Sequence, residues 1–171
     1  KVGLAKSLER LLTPQKETAD FEDIESLLRE AAYDTGAVGD LQAWWLHRMH
    51  YTANPLTEKL TLFWHNHFAT SFSKVQSVPH MAAQNDRFRA EALGSFRELL
   101  HAMAKDVAML IWLDSNANRK RHANENFARE VMELFSLGEG NYTEDDIKQA
   151  ARAFTGWHVR DDKFWFNQRQ H

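Results

Sequence analysis

Through most of the chain, apolar residues recur at three- and four-residue spacing, the period of a helix that packs one face. Phe21, Ile24, Leu27, Leu28 and Ala31 follow Asp20 in this way, and Leu41, Trp44, Trp45 and Met49 follow Asp40, so each aspartate is read as an N-cap. Asn54-Pro55 is a stronger start, because Asn54 can cap the first free amides while proline at the first helical position loses no needed donor. The pattern predicts helices over 3–12, 21–34, 41–52 and 55–69, then over 79–93 and 95–113, the last with a break near Asp106. A helix over 124–137 stops at Gly138, a natural left-handed C-cap, and Thr143 with Asp146 opens a final helix closed by Gly156. The period then changes. Trp157, Val159, Phe164 and Phe166 alternate with polar residues around Asp161-Asp162, which predicts a β-hairpin.

The expected fold is therefore all-α, with seven to nine helices and a short C-terminal hairpin. No repeat or linker divides the chain. Residues 1–171 are read as one helical domain or the N-terminal segment of a longer one: N-terminal helices over 1–40, a motif-bearing core over 41–156 and a hairpin-like tail over 157–171. Composition supports a packed core, with 43% hydrophobic residues and 26% charged. Twenty-four acidic against 21 basic residues leave a net charge of −3, so there is no basic footprint for nucleic acid. The longest apolar run, Val107 to Leu113, falls well short of the roughly 18 residues of a membrane span. The chain starts at Lys1 without a signal-like segment, leaving a removed leader as an open expectation. Cysteine is absent, so any divalent metal must be held by histidine and oxygen ligands.

Three clusters are candidates for chemistry. In Phe63-Trp64-His65-Asn66-His67-Phe68, His67 falls within the arc of Leu56, Leu60, Phe63, Trp64 and Phe68 and is expected to be buried. His65 lies about 160° away on the wheel, beside Thr61 and Glu58, so both rings cannot ligate one ion on a regular helix. In Asn124-Glu125-Asn126-Phe127-Ala128-Arg129-Glu130, continuing to Glu133, a polar stripe holds Asn126, Glu130 and Glu133, and Arg129 is within reach of Glu125 and Glu133. Carboxylates three residues apart, with histidines from a neighbouring helix, are ingredients of helix-bundle metal sites, although no Glu-x-x-His pair occurs. His65, His67, Glu130 and Glu133 are therefore candidate catalytic residues, with His67, Glu130 and Glu133 the candidate metal ligands. Asn66, Asn124, Asn126 and Arg129 are candidate structural polar groups. The third cluster, Asp114, Asn116, Asn118 and Glu125, places oxygens at positions one, three, five and twelve of a loop, an imperfect calcium pattern with Arg119 where glycine makes the turn. The basic run Arg119 to His122 either holds an anion or is simply solvated.

The ordered blocks Pro55-Leu56-Thr57-Glu58-Lys59, Phe63 to Phe68, Asn124 to Glu130, Glu133-Leu134-Phe135, Tyr142-Thr143-Glu144 and Ala153 to Trp157 strongly resemble the bacterial family called domain of unknown function 1800, over about residues 41–171. The resemblance implies a mostly helical, often exported or periplasmic protein, commonly encoded near an exported sulfatase-like protein that is a candidate partner, and it carries no established activity. Val107 and Ala123 stand where that family often has proline, and the ending at His171 resembles a cut within a longer domain. Three readings follow: an enzyme or metal-binding domain built on the two motif helices, a helical scaffold for a protein partner whose motif residues are hydrogen-bonded struts, and a calcium-stabilised helix–loop–helix.

Overall fold

The computed structural model describes residues 3–171. Ten α-helices lie among them, α1 Leu4–Leu12, α2 Ala19–Thr35, α3 Val38–Tyr51, α4 Pro55–Phe68, α5 Phe72–Val75, α6 Val78–Ala90, α7 Phe96–Met103, α8 Val107–Trp112, α9 Glu125–Glu130 and α10 Glu144–Ala153. An antiparallel hairpin, β1 Trp157–Arg160 and β2 Lys163–Phe166, follows. The expected class holds, and the element beyond the expected count is the single turn α5, too short to carry a helical period.

Local chemistry explains most boundaries. Thr143 and Asp146 form a reciprocal capping box on α10. Asp106 caps α8 through the Met109 amide, so the anticipated break divides α7 from α8. Gly138, at φ 81°, supplies the expected left-handed turn after the Glu125–Ser136 helix. Asp161 and Asp162 both adopt positive φ, which suits a two-residue hairpin turn.

Elsewhere other residues take over the predicted role. Thr18, not Asp20, caps α2 by accepting from the Phe21 amide. α3 begins two residues before Asp40, which accepts from Thr35 Oγ1 instead. The Asn54 side chain does not cap α4. It binds the Gln15 backbone in both directions and reaches Glu17, tying the segment after α1 to the α3–α4 corner. The helix expected over 124–137 is α-helical only to Glu130, and Val131–Ser136 widens into a π-helix.

α2 and α3 form an antiparallel pair across Gly36 and Ala37, with Phe21 against His47 at one end and Ala32 clustered with Leu41 at the other. Two apolar clusters make the core. One gathers Leu41, Trp44, Val75, Val78, Met81 and Ala108, and the other Phe68, Phe88, Leu99, Met109, Leu110, Phe127 and Phe135. α6 and α8 contribute to both and therefore join the halves. Burying a large apolar side chain contributes about 1.5–3 kcal/mol, so these clusters supply the main cohesion.

Candidate functional site

The orientation of α4 decides the site. On apolar periodicity alone, Phe63 should face inward, yet Phe63 is 54% exposed while Glu58 is 2% and Thr61 0% exposed. The helix buries the side carrying Glu58, Thr61, His65 and Phe68. Thr61 is satisfied by its own helix, donating to the Thr57 carbonyl.

Glu58 is satisfied by a dense set of donors from α3 and α6. Its Oε1 accepts from Arg48 Nε at 3.2 Å and from Arg89 Nε, and its Oε2 accepts from Trp45 Nε1 and an Arg89 terminal nitrogen, each at 3.1 Å. Arg48 also pairs with Glu25 at 2.9 Å, while Arg89 and Arg29 both pair with Asp86. Three guanidiniums thus alternate with three carboxylates across α2, α3, α4 and α6. The fully buried Trp44 sits among them, donating its Nε1–H to Glu25 at 2.7 Å and receiving Arg29, Arg48 and Arg89 at 5.2–5.8 Å from its rings. A buried carboxylate is tolerable only when paired and hydrogen-bonded in this way.

Beside this ladder lies a pocket of about 260 Å³ between α3, α4, the 70–72 turn and α6. Leu41, Trp44, Trp45, Phe72 and Met81 give it apolar walls, and His65, Thr70 and Asn85 are among its polar groups. The His65 ring stacks on Trp45 at 5.1 Å and tilts against Phe88 at 5.4 Å. Burial holds its pKa below the ordinary histidine range, and among the described residues no other residue hydrogen-bonds the ring. The imidazole is therefore neutral at pH 7, with one nitrogen a donor and the other an acceptor. Asn85 is held by its Oδ1, which accepts from Arg89, and its Nδ2 makes no hydrogen bond among the described residues. The pocket thus joins apolar walls to two oriented, uncommitted polar groups, the usual composition of a small-ligand site.

Of the residues anticipated as a metal or acid–base centre, His65 lines this pocket and His67, Glu130 and Glu133 fall elsewhere. His67 is half-buried rather than buried, because the arc around it lies partly on the surface. It lies near Phe63, Trp64, Phe68, Phe96 and Phe135, and its Nε2 meets the Phe135 carbonyl at 3.2 Å. α4 therefore meets the π-helical segment through this histidine, but Glu130 and Glu133 make no bond to it. Glu133 accepts from the Tyr142 hydroxyl at 2.6 Å. Burial and the negative charge of Glu133 raise the pKa of Glu130. Arg129 keeps Glu125 but takes Glu144 of α10 in place of the expected Glu133, since the wider turns after Glu130 change the stripe. Asn66 is exposed, Asn124 caps α9, and Asn126 donates to the Leu113 carbonyl.

The calcium pattern is likewise dispersed into struts. Asp114 pairs with Lys74, and Asn116 Oδ1 accepts from the Val159 amide. Asn118 accepts from the Asn124 amide and donates to the Ala151 carbonyl, while Glu125 pairs with Arg129. Among the described residues no group of three histidine, aspartate or glutamate side chains is placed to hold a metal ion. The metal-ligand expectation for His67, Glu130 and Glu133 therefore has no structural support.

Sequence reasoning missed Arg48, Glu58, Asn85 and Arg89. A signal existed in Glu58, Thr61 and His65 sharing one side of the α4 wheel, but an ionic residue on a helix is ordinarily read as solvated. Fold and site together define a helical domain in which a buried ionic ladder braces a small apolar pocket. The family model described as Protein of unknown function (DUF1800) matches residues 1–171, the whole chain, so the protein belongs to that family, including the first forty residues that the motif resemblance left out. No curated protein and no solved structure matches the chain.

Proposed function

We propose that the domain binds a small, largely apolar ligand in the α3–α4–α6 pocket, with His65 as its hydrogen-bonding group. The observation that carries the reading is the pairing of a desolvated, neutral, unbonded imidazole with the uncommitted Asn85 amide at one cavity. The ionic ladder supports it as a brace, since Arg89 orients Asn85 while Trp44 and Trp45 are anchored through Glu25 and Glu58. Rigid support of this kind is what a binding group needs to lose little freedom when it engages.

The test is a screen of uncharged small molecules against the intact protein, read by tryptophan fluorescence and by the imidazole resonances. The expected result is saturable binding that perturbs the His65 ring and weakens at least tenfold in His65→Ala, with unchanged circular dichroism. Ligands that bind equally well to His65→Ala, or a screen that leaves the His65 resonances unmoved, overturn the reading.

A second reading, a scaffold for a protein partner, is favoured by the strut roles of His67, Asn126 and Arg129 and by the exposed Phe63, Phe96, Leu134 and Leu137. The family resemblance nominates an exported sulfatase-like protein as that partner. Co-elution of the two purified proteins, lost in Phe63→Ser, supports it, and independent elution opposes it.

A further inference from the structure

We propose that the cleft between the 120–123 turn and the C-terminal end of α10 binds the phosphate group of a soluble small molecule, at a site separate from the His65 pocket. The cleft measures about 680 Å³, and Lys120, Arg121 and Arg152 line it with no aspartate or glutamate among the lining residues. By contrast, Arg48, Arg89 and Arg129 each have two carboxylate partners. Lys120, Arg121 and Arg152 have no acid within 4 Å among the described residues. On a protein with more acidic than basic residues, this concentration of unmatched positive charge is a local feature and not a consequence of net charge.

The backbone holds these cations in place. Arg119 and His122 exchange hydrogen bonds at 3.2 and 2.9 Å, closing a tight turn that carries Lys120 and Arg121 at its tip. Arg121 lies at φ 67°, a left-handed conformation that costs a residue with a Cβ and persists only where the surroundings impose it. The turn is pinned from the other side by the Lys120 amide, which donates to the Gln170 carbonyl at 2.7 Å. On the opposite wall the Arg152 guanidinium is steadied by Gln149 Oε1 at 2.8 Å, and its remaining donors make no hydrogen bond among the described residues. Two guanidiniums and an ammonium on the two walls of one cleft suit a tetrahedral dianion, which accepts forked donors from arginine and a point charge from lysine. The gathering of these cations at one cleft, and not along a face, favours a discrete ligand over an extended surface.

Inorganic pyrophosphate is the probe, titrated calorimetrically into the whole protein at 0.15 M ionic strength, with potassium chloride of matched ionic strength as the blank. The expected result is one-site binding with a dissociation constant below about 1 mM, corresponding to about −4 kcal/mol. Affinity should fall at least tenfold in Arg121→Ala/Arg152→Ala, whose altered side chains are exposed and leave the circular dichroism unchanged. Lys163→Ala, which removes an exposed cation from the distant hairpin, should bind as the parent does. Absence of binding, retention of affinity in the double variant, or equal weakening in Lys163→Ala overturns the proposal. The last outcome would mean diffuse attraction only. His65→Ala leaves this binding unchanged if the two sites are separate.

Discussion

Replacing Glu58 by alanine tests whether the ionic ladder holds the helices around the pocket. The side chain is 2% exposed and accepts from Arg48, Arg89 and Trp45, so its loss leaves two partly buried guanidiniums short of one carboxylate each. Removing one partner of a buried ion pair costs about 3–5 kcal/mol. Arg48 keeps Glu25 and Arg89 keeps Asp86, which places the expected loss at the lower end, about 3 kcal/mol. For a chain of 171 residues the unfolding entropy is about 0.36 kcal/mol per kelvin, so Tm should drop by about 8 °C. Urea unfolding followed by circular dichroism measures the free energy, and a double-mutant cycle with Arg89→Met isolates the pair. A coupling of about 1–3 kcal/mol is expected for groups in one network. If Glu58→Ala unfolds within about 2 °C of the parent and the coupling falls below about 0.5 kcal/mol, the ladder is incidental and the account of α4 orientation fails.

Asp106 should give the protein an unusual pH response. Burial pushes its pKa up to about 6 against an ordinary 3.8, so the native state holds this proton more tightly than the unfolded chain. Its contribution to stability is therefore full below about pH 4 and lost as pH rises through about 6. Asp106→Asn keeps the α8 cap, should raise stability at pH 7.5 by about 1–2 kcal/mol and should flatten the pH 4–6 slope, and an unchanged slope refutes the assignment. His65 acts in the opposite sense, since a depressed histidine pKa gives stability that is present above about 6.5 and declines as pH falls. His67→Ala should cost about 1–3 kcal/mol, because the Phe135 carbonyl loses its partner, while elemental analysis shows the same metal content in both proteins. A fall in bound metal would restore the ligand reading. Calcium up to about 10 mM should leave Tm unchanged, since binding to the native state must raise it and the Asp114–Glu125 oxygens are otherwise engaged.

Much of the fold is legible in the chain because its determinants are local. The Asn54-Pro55 start, the Thr143–Asp146 box, the break at Asp106, the Gly138 stop and the Asp161-Asp162 turn each depend on a few neighbouring residues and on backbone hydrogen bonds that must be satisfied. The family membership is equally written in ordered motifs. Asn124 caps α9 within its own turn, whereas Asn126 donates to the Leu113 carbonyl, a partner that spacing alone does not identify.

The site was not local. Periodicity states that α4 has an apolar side and a polar side, and the usual rule sends the apolar side inward. That rule compares each residue with water. It fails where Arg48 from α3 and Arg89 from α6 arrive together to replace water around Glu58, an event that requires three helices to be in place at once. With that face inward, His65 becomes the pocket residue and His67 the strut at the Phe135 carbonyl. The amino-acid sequence by itself determined most of the helices, several of their ends, the hairpin and the family. Only the tertiary structure decided which side of α4 is buried and hence which histidine lines the pocket, because the stability of a buried charge depends on the partners that surround it.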